Sequence, residues 1–154
     1  MRPTRLMAAK ITEAATDKGI NPNALLFADS SYLLPSNRWV LDIFSAAWDA
    51  TKRVLDIAVY EPDMNDCDDY ARMCAGYAQL LNNRTLRENK ALPRSALAFG
   101  EFWYMSPMGA HAINAYFYQE EVGGDILLGT FEPQTGKPVE LTRQQIYTCS
   151  LFRL

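Results

Sequence analysis

Apolar residues recur at helical spacing through the first half of the chain and alternate with polar ones through the second. Arg5 to Lys18 is an Ala-rich stretch predicted as a helix, stopped at Gly19, where a left-handed residue caps a helix end. Asn21-Pro22-Asn23 breaks the chain, and Tyr32-Leu33-Leu34 is predicted extended because Pro35 pushes its predecessor out of the α region. Ser36 is a candidate N-cap. Trp39, Val40, Ile43, Phe44, Ala47 and Trp48 then mark a core helix from about Asn37 to Leu55. After a polar turn over residues 61–66, Cys67, Ala71, Cys74, Ala75, Ala78 and Leu81 share one helical stripe. Asp66 is the expected N-cap of that helix, with Asp68 and Asp69 in its first turn, where the dipole favours negative charge.

Leu97–Tyr104, His111–Tyr118, Ile126–Glu132, Val139–Leu141 and Tyr147–Leu154 are rich in aromatic or β-branched residues and separated by turn signals, so they are predicted as antiparallel strands. Gly123-Gly124 makes a hairpin of the second and third, which places His111 and Glu132 near one end of the ladder. The expected fold class is α+β, N-terminal helices packed on a C-terminal antiparallel sheet. One domain is expected over residues 1–154, its helical half at about 1–90 and its sheet half at about 95–154.

Charge removes some partners. Fifteen basic residues stand against 18 acidic ones, a net charge of −3, which leaves no footprint for nucleic acid or an anionic membrane surface. The start of the chain carries charge at both ends and has no apolar core of a secretory signal peptide. No stretch approaches the ~18 apolar residues of a membrane span. A soluble protein of a cytoplasm is the expectation, a host cytoplasm or a virion if its source is a phage. Three cysteines, Cys67, Cys74 and Cys149, are too few and too uneven for a disulfide framework and are expected as free thiols.

A thiol becomes a nucleophile when its thiolate is stabilised and a base stands within hydrogen-bond reach. Cys67 opens a helix, where unpaired N–H groups favour the anion. The chain has a single histidine, so any thiol–imidazole pair must use His111. His111, Ile113, Ala115 and Phe117 share a strand face, and the helix of Cys67 is the expected layer beneath it. Glu132 closes the alternation Ile126, Leu128, Thr130 one hairpin away, suited to orient the imidazole. Taken singly, Cys67 also reads as a small core residue, His111 as a structural histidine and Glu132 as a solvated strand end. Cys74 and Cys149 are read as core. Seven helical residues separate Cys67 from Cys74 by ~10 Å, too far for one zinc ion.

Asp63, Asp66, Asp68 and Asp69 crowd the thiol with negative charge, which opposes its ionisation. A hard cation such as Ca²⁺ would neutralise them, although the spacing is not that of an EF-hand.

Three blocks, Asp66-Cys67-Asp68-Asp69-Tyr70-Ala71, His111-Ala112-Ile113-Asn114 and Phe131-Glu132-Pro133-Gln134-Thr135-Gly136, resemble motifs of the papain-like cysteine protease domain of the Marasmius oreades agglutinin type, including related phage and bacterial proteins. More distantly, the order Cys, His, acid is similar to the transglutaminase-like superfamily. The resemblance implies a papain/transglutaminase-like fold and a thiol-dependent amide hydrolase acting on a peptide or other amide-containing substrate. It further implies Cys67 as nucleophile, His111 as base, Glu132 as orienting acid and a calcium requirement. Asp68 and Asp69 are then the candidate metal ligands, and Trp39 and Gln134 the candidate substrate contacts. The sugar-binding domain of the fungal protein has no counterpart here. Two alternatives stand beside this reading: a non-enzymatic phage, virion or host-interaction module that retains the fold, and a transglutaminase-like acyltransferase.

Overall fold

The computed structural model describes residues 4–57, 59 and 66–154. The expected turn over 61–66, and Asp63 within it, lie outside these residues except for Asp66.

Residues 5–7 leave the expected first helix and form β1 (Arg5–Met7), so α1 spans only Ala8–Asp17. The cause is tertiary: β1 pairs antiparallel with β3 (Ser31–Leu33), and the Arg5 guanidinium donates twice to the Ser31 hydroxyl, at 3.0 and 2.8 Å. Between them lies the two-residue β2 (Leu25–Leu26). A π-helical stretch at Trp39–Phe44 runs into α2 (Ser45–Val54), and α3 covers Cys67–Glu88. Then come β4 (Ala96–Leu97), β5 (Phe99–Ser106), β6 (Gly109–Tyr118), β7 (Leu127–Glu132), β8 (Lys137–Pro138), α4 (Arg143–Tyr147) and β9 (Leu151–Arg153).

The strands make two mixed sheets, β1-β3-β4 and β2-β9-β5-β6-β7-β8. β3 pairs parallel with β4, and β2 pairs parallel with β9. This corrects the expected papain/transglutaminase-like α+β plan of helices followed by an antiparallel sheet. Three strands lie in the first 33 residues, and both sheets draw on both halves of the chain. The terminal region differs too. Val139–Leu141 is not a strand, and the expected Tyr147–Leu154 strand is shortened to β9 behind α4. That helix is set by a capping box in which Thr142 Oγ1 accepts from Gln145 N–H and Gln145 Oε1 accepts from Thr142 N–H.

The larger sheet divides the interior into two cores. On one side Ile113, Ala115 and Phe117 of β6 pack with Ile11, Ala15, Phe102 and Phe152. On the other, Tyr116 joins Phe44, Trp48, Tyr70, Cys74, Ala78, Phe99 and Phe131. Asn114, fully buried on this second side, donates from Nδ2 to the carbonyls of Ala71 on α3 (2.8 Å) and Gly100 on β5 (3.0 Å). Among the described residues, no helix is long and apolar enough to cross a membrane.

Candidate functional site

Asp66 occupies the N-cap position of α3 with extended backbone, yet its side chain makes no capping bond. It lies against the Asp68 carboxyl, and the two titrate in opposite directions. The hydrogen bond from Asp68 holds Asp66 below the usual carboxylate range, while the same contact, burial and the Asp66 charge push Asp68 up. The ligand atoms of Asp66, Cys67 and Asp68 all lie within 4.8 Å of one another. Asp69, one of the two expected metal ligands, is turned to Arg72 instead, its Oδ1 3.5 Å from the guanidinium. Asp68, the other, also touches Arg72, with Oδ2 at 3.1 Å.

Cys67 is half-buried, and burial pushes its thiol up. The Ala112 backbone N–H on β6 opposes this rise, whereas the charges of Asp66 and Asp68 add to it. The helix-start effect expected to favour the thiolate is therefore outweighed by desolvation and the neighbouring acids.

His111 and Glu132 do meet: Nε2 of the imidazole lies 2.9 Å from Glu132 Oε2. Tyr104, opposite His111 in the β5–β6 register, packs edge-on to the ring with centroids 5.8 Å apart. Cys67 stands close enough for its charge, like that of Glu132, to act on Tyr104. The hydrogen bonds of the described residues include none between its sulfur and His111. Ile113, Ala115 and Phe117, with which His111 alternates, face the core that holds α1, whereas α3 packs on the opposite face through Tyr70, Cys74 and Ala78. The link from Cys67 to the histidine strand runs through the Ala112 backbone.

The turn after Glu132 is tethered from α2, which the sequence reading missed. Trp48 Nε1 donates to the Pro133 carbonyl at 2.7 Å, and Lys52 Nζ donates to the carbonyls of Pro133 (3.1 Å) and Gln134 (2.6 Å). Lys52, only 6% exposed, also pairs with Asp49 Oδ1 at 2.9 Å. The available signal was a lysine one helical turn after Trp48, on an apolar stripe that otherwise goes inside. Gln134 contributes its backbone, its N–H donating to Glu132 Oε1 at 3.1 Å. Trp39 stands elsewhere. It lines a cavity with Asn82 and Leu86 of α3, residues 15 and more beyond Cys67 and hence roughly 22 Å or more along the helix.

No family model matches this chain, and no curated protein matches it. Solved structures do. A chain described as PSL1a in complex with E64 superposes with a TM-score of 0.70 at 21% identity over 97% of this chain and 51% of that one. A Polyporus squamosus lectin bound to the human-type influenza-binding epitope Neu5Acα2-6Galβ1-4GlcNAc gives 0.69 and 21% over 97% of this chain and 49% of that one. This chain thus spans about half the length of the solved chains it resembles. The second is described as a lectin with a glycan bound, and this finding corrects the expected cysteine-protease family, hydrolase activity and peptide partner. What the likeness establishes is a fold shared with chains described as a lectin.

Proposed function

We propose that this chain is a non-catalytic interaction module on the fold of the solved lectin chains, with Cys67, His111 and Glu132 serving as polar groups of a binding surface. The observation that carries this reading is the fold shared, with a TM-score of 0.69, with a lectin described with its glycan bound. In keeping with it, the Cys67 thiol is raised by burial and by Asp66 and Asp68, and among the described residues it has no hydrogen bond to His111. A thiol so placed is a poor nucleophile at neutral pH.

Alkylation by iodoacetamide with and without Ca²⁺ tests the reading. The expected result is a Cys67 rate at or below that of free glutathione in both conditions. A rate ten times higher in either overturns the non-catalytic assignment. Calorimetric titration with Neu5Acα2-6Galβ1-4GlcNAc, the glycan bound by the second solved neighbour, reads whether a sialylated sugar is the ligand class.

Calcium belongs to the same proposal. The closely spaced oxygens of Asp66 and Asp68 suit a hard cation. Asp69, outside that cluster, is the weaker candidate.

A further inference from the structure

Beside the far end of α3 lies a cavity of about 260 Å³, walled by Leu33, Trp39, Leu86, Leu92 and Leu97. Leu33, Leu86 and Leu97 are buried, and Trp39 and Leu92 are half-buried. An apolar void of ~150 Å³ suffices for a benzene-sized guest, so this one has room for a larger molecule.

The polar atoms of the wall are mostly spoken for. Asn82 Nδ2 donates to the Ser95 carbonyl at 3.0 Å, Ser36 Oγ accepts from the Trp39 N–H at 3.1 Å, and Thr85 Oγ1 donates to the Leu81 carbonyl at 3.0 Å. Gln119, at the end of β6, also lines the cavity. Its Nε2 is fixed by donation to the Gly124 carbonyl at 2.6 Å. Its Oε1 is buried and has no partner among the described residues. A buried acceptor left without a donor costs about as much as a lost hydrogen bond, and its own amide nitrogen cannot serve it. The wall therefore lacks one thing, a donor delivered on an apolar body.

We infer that this cavity is a binding site for a small apolar molecule carrying one hydroxyl or N–H donor, with Gln119 Oε1 as the acceptor that selects it. The occupant is of medium-chain-alcohol or indole size, and it is uncharged, because none of the described residues that line the cavity is ionisable. The site is separate from the Cys67 end of α3 and does not depend on the binding role proposed there.

The test uses the whole chain with 1-octanol and its methyl ether, which keeps the apolar bulk and loses the O–H. Binding is followed by tryptophan fluorescence and by thermal denaturation. Octanol is expected to bind saturably and raise the melting temperature, with the ether about tenfold weaker, the equivalent of one hydrogen bond. Gln119→Leu should make alcohol and ether equal, and Leu92→Trp, which fills the cavity from a loop, should abolish both. Absence of saturable binding to the wild-type chain overturns the proposal. So does equal affinity for alcohol and ether in that chain, a measurement that needs no variant to fold, or undiminished binding to a folded Leu92→Trp.

Discussion

Lys52 Nζ lies 2.6 Å from the Gln134 carbonyl oxygen, and through this contact α2 holds the turn that carries Glu132. Replacing Lys52 by Met keeps the buried stem but leaves the carbonyls of Pro133 and Gln134 without that donor and Asp49 without its ion pair. The expected loss is about 2–3 kcal/mol, read as a lower urea midpoint with an unchanged slope. A loss well under 1 kcal/mol would mean that the turn is held by Trp48 alone.

Glu132 accepts from His111 and from the Gln134 N–H. Glu132→Ala should therefore cost about 1–3 kcal/mol. It should also change the imidazole itself, since a carboxylate at Nε2 selects the tautomer protonated there. Nitrogen-15 NMR of the ring is expected to show the Nε2–H form in the wild-type chain and a mixture in the variant.

Stability should fall on the alkaline side. Burial raises all three thiols, Cys149 to about 12 and Cys74 well above the ordinary value. Unfolded thiols ionise near pH ~8.5, so above that pH the unfolded chain loses protons that the folded chain keeps. The contribution of each thiol is intact below this value and declines as pH rises towards its folded pKa, by up to about 1.4 kcal/mol per pH unit. Urea titrations between pH 8 and about 10, before tyrosines ionise, should show the slope, and Cys149→Ala should flatten it. A flat profile in the wild-type chain contradicts the burial argument.

Calcium at Asp66 and Asp68 should raise the melting temperature with an affinity of about 10⁻⁴–10⁻³ M, as suits a site with few ligands. Asp66→Asn and Asp68→Asn should remove the heat of binding, and Asp69→Asn should leave it, because Asp69 lies outside the cluster of Asp66, Cys67 and Asp68. The reverse pattern would restore the ligand pair expected from sequence.

Helical spacing located α3 and its opening at Cys67, and the Gly-Gly hairpin brought His111 next to Glu132, because both follow from local periodicity. The short strands β1, β2 and β3 were not legible. Two or three residues carry no period, and their pairing with β3, β9 and β4 is decided by segments far along the chain. The layer beneath Ile113, Ala115 and Phe117 was misjudged for another reason. Alternation groups His111 with Ile113 and Phe117, but no pattern within β6 states which helix covers that side. Lys52 was overlooked because a lysine on an apolar stripe resembles a solvated end until its acceptors are visible.

Asn114 gives the β6 register a consequence beyond its two bonds. Leucines, valines and aromatic rings are nearly interchangeable as filling, so a sheet covered on both sides by apolar cores could slide one residue and still bury much of the same grease. An amide cannot slide: moved to the other side it would lose the Ala71 and Gly100 carbonyls at once. Which core each residue of β6 faces is thus settled by one small polar side chain acting as a detent.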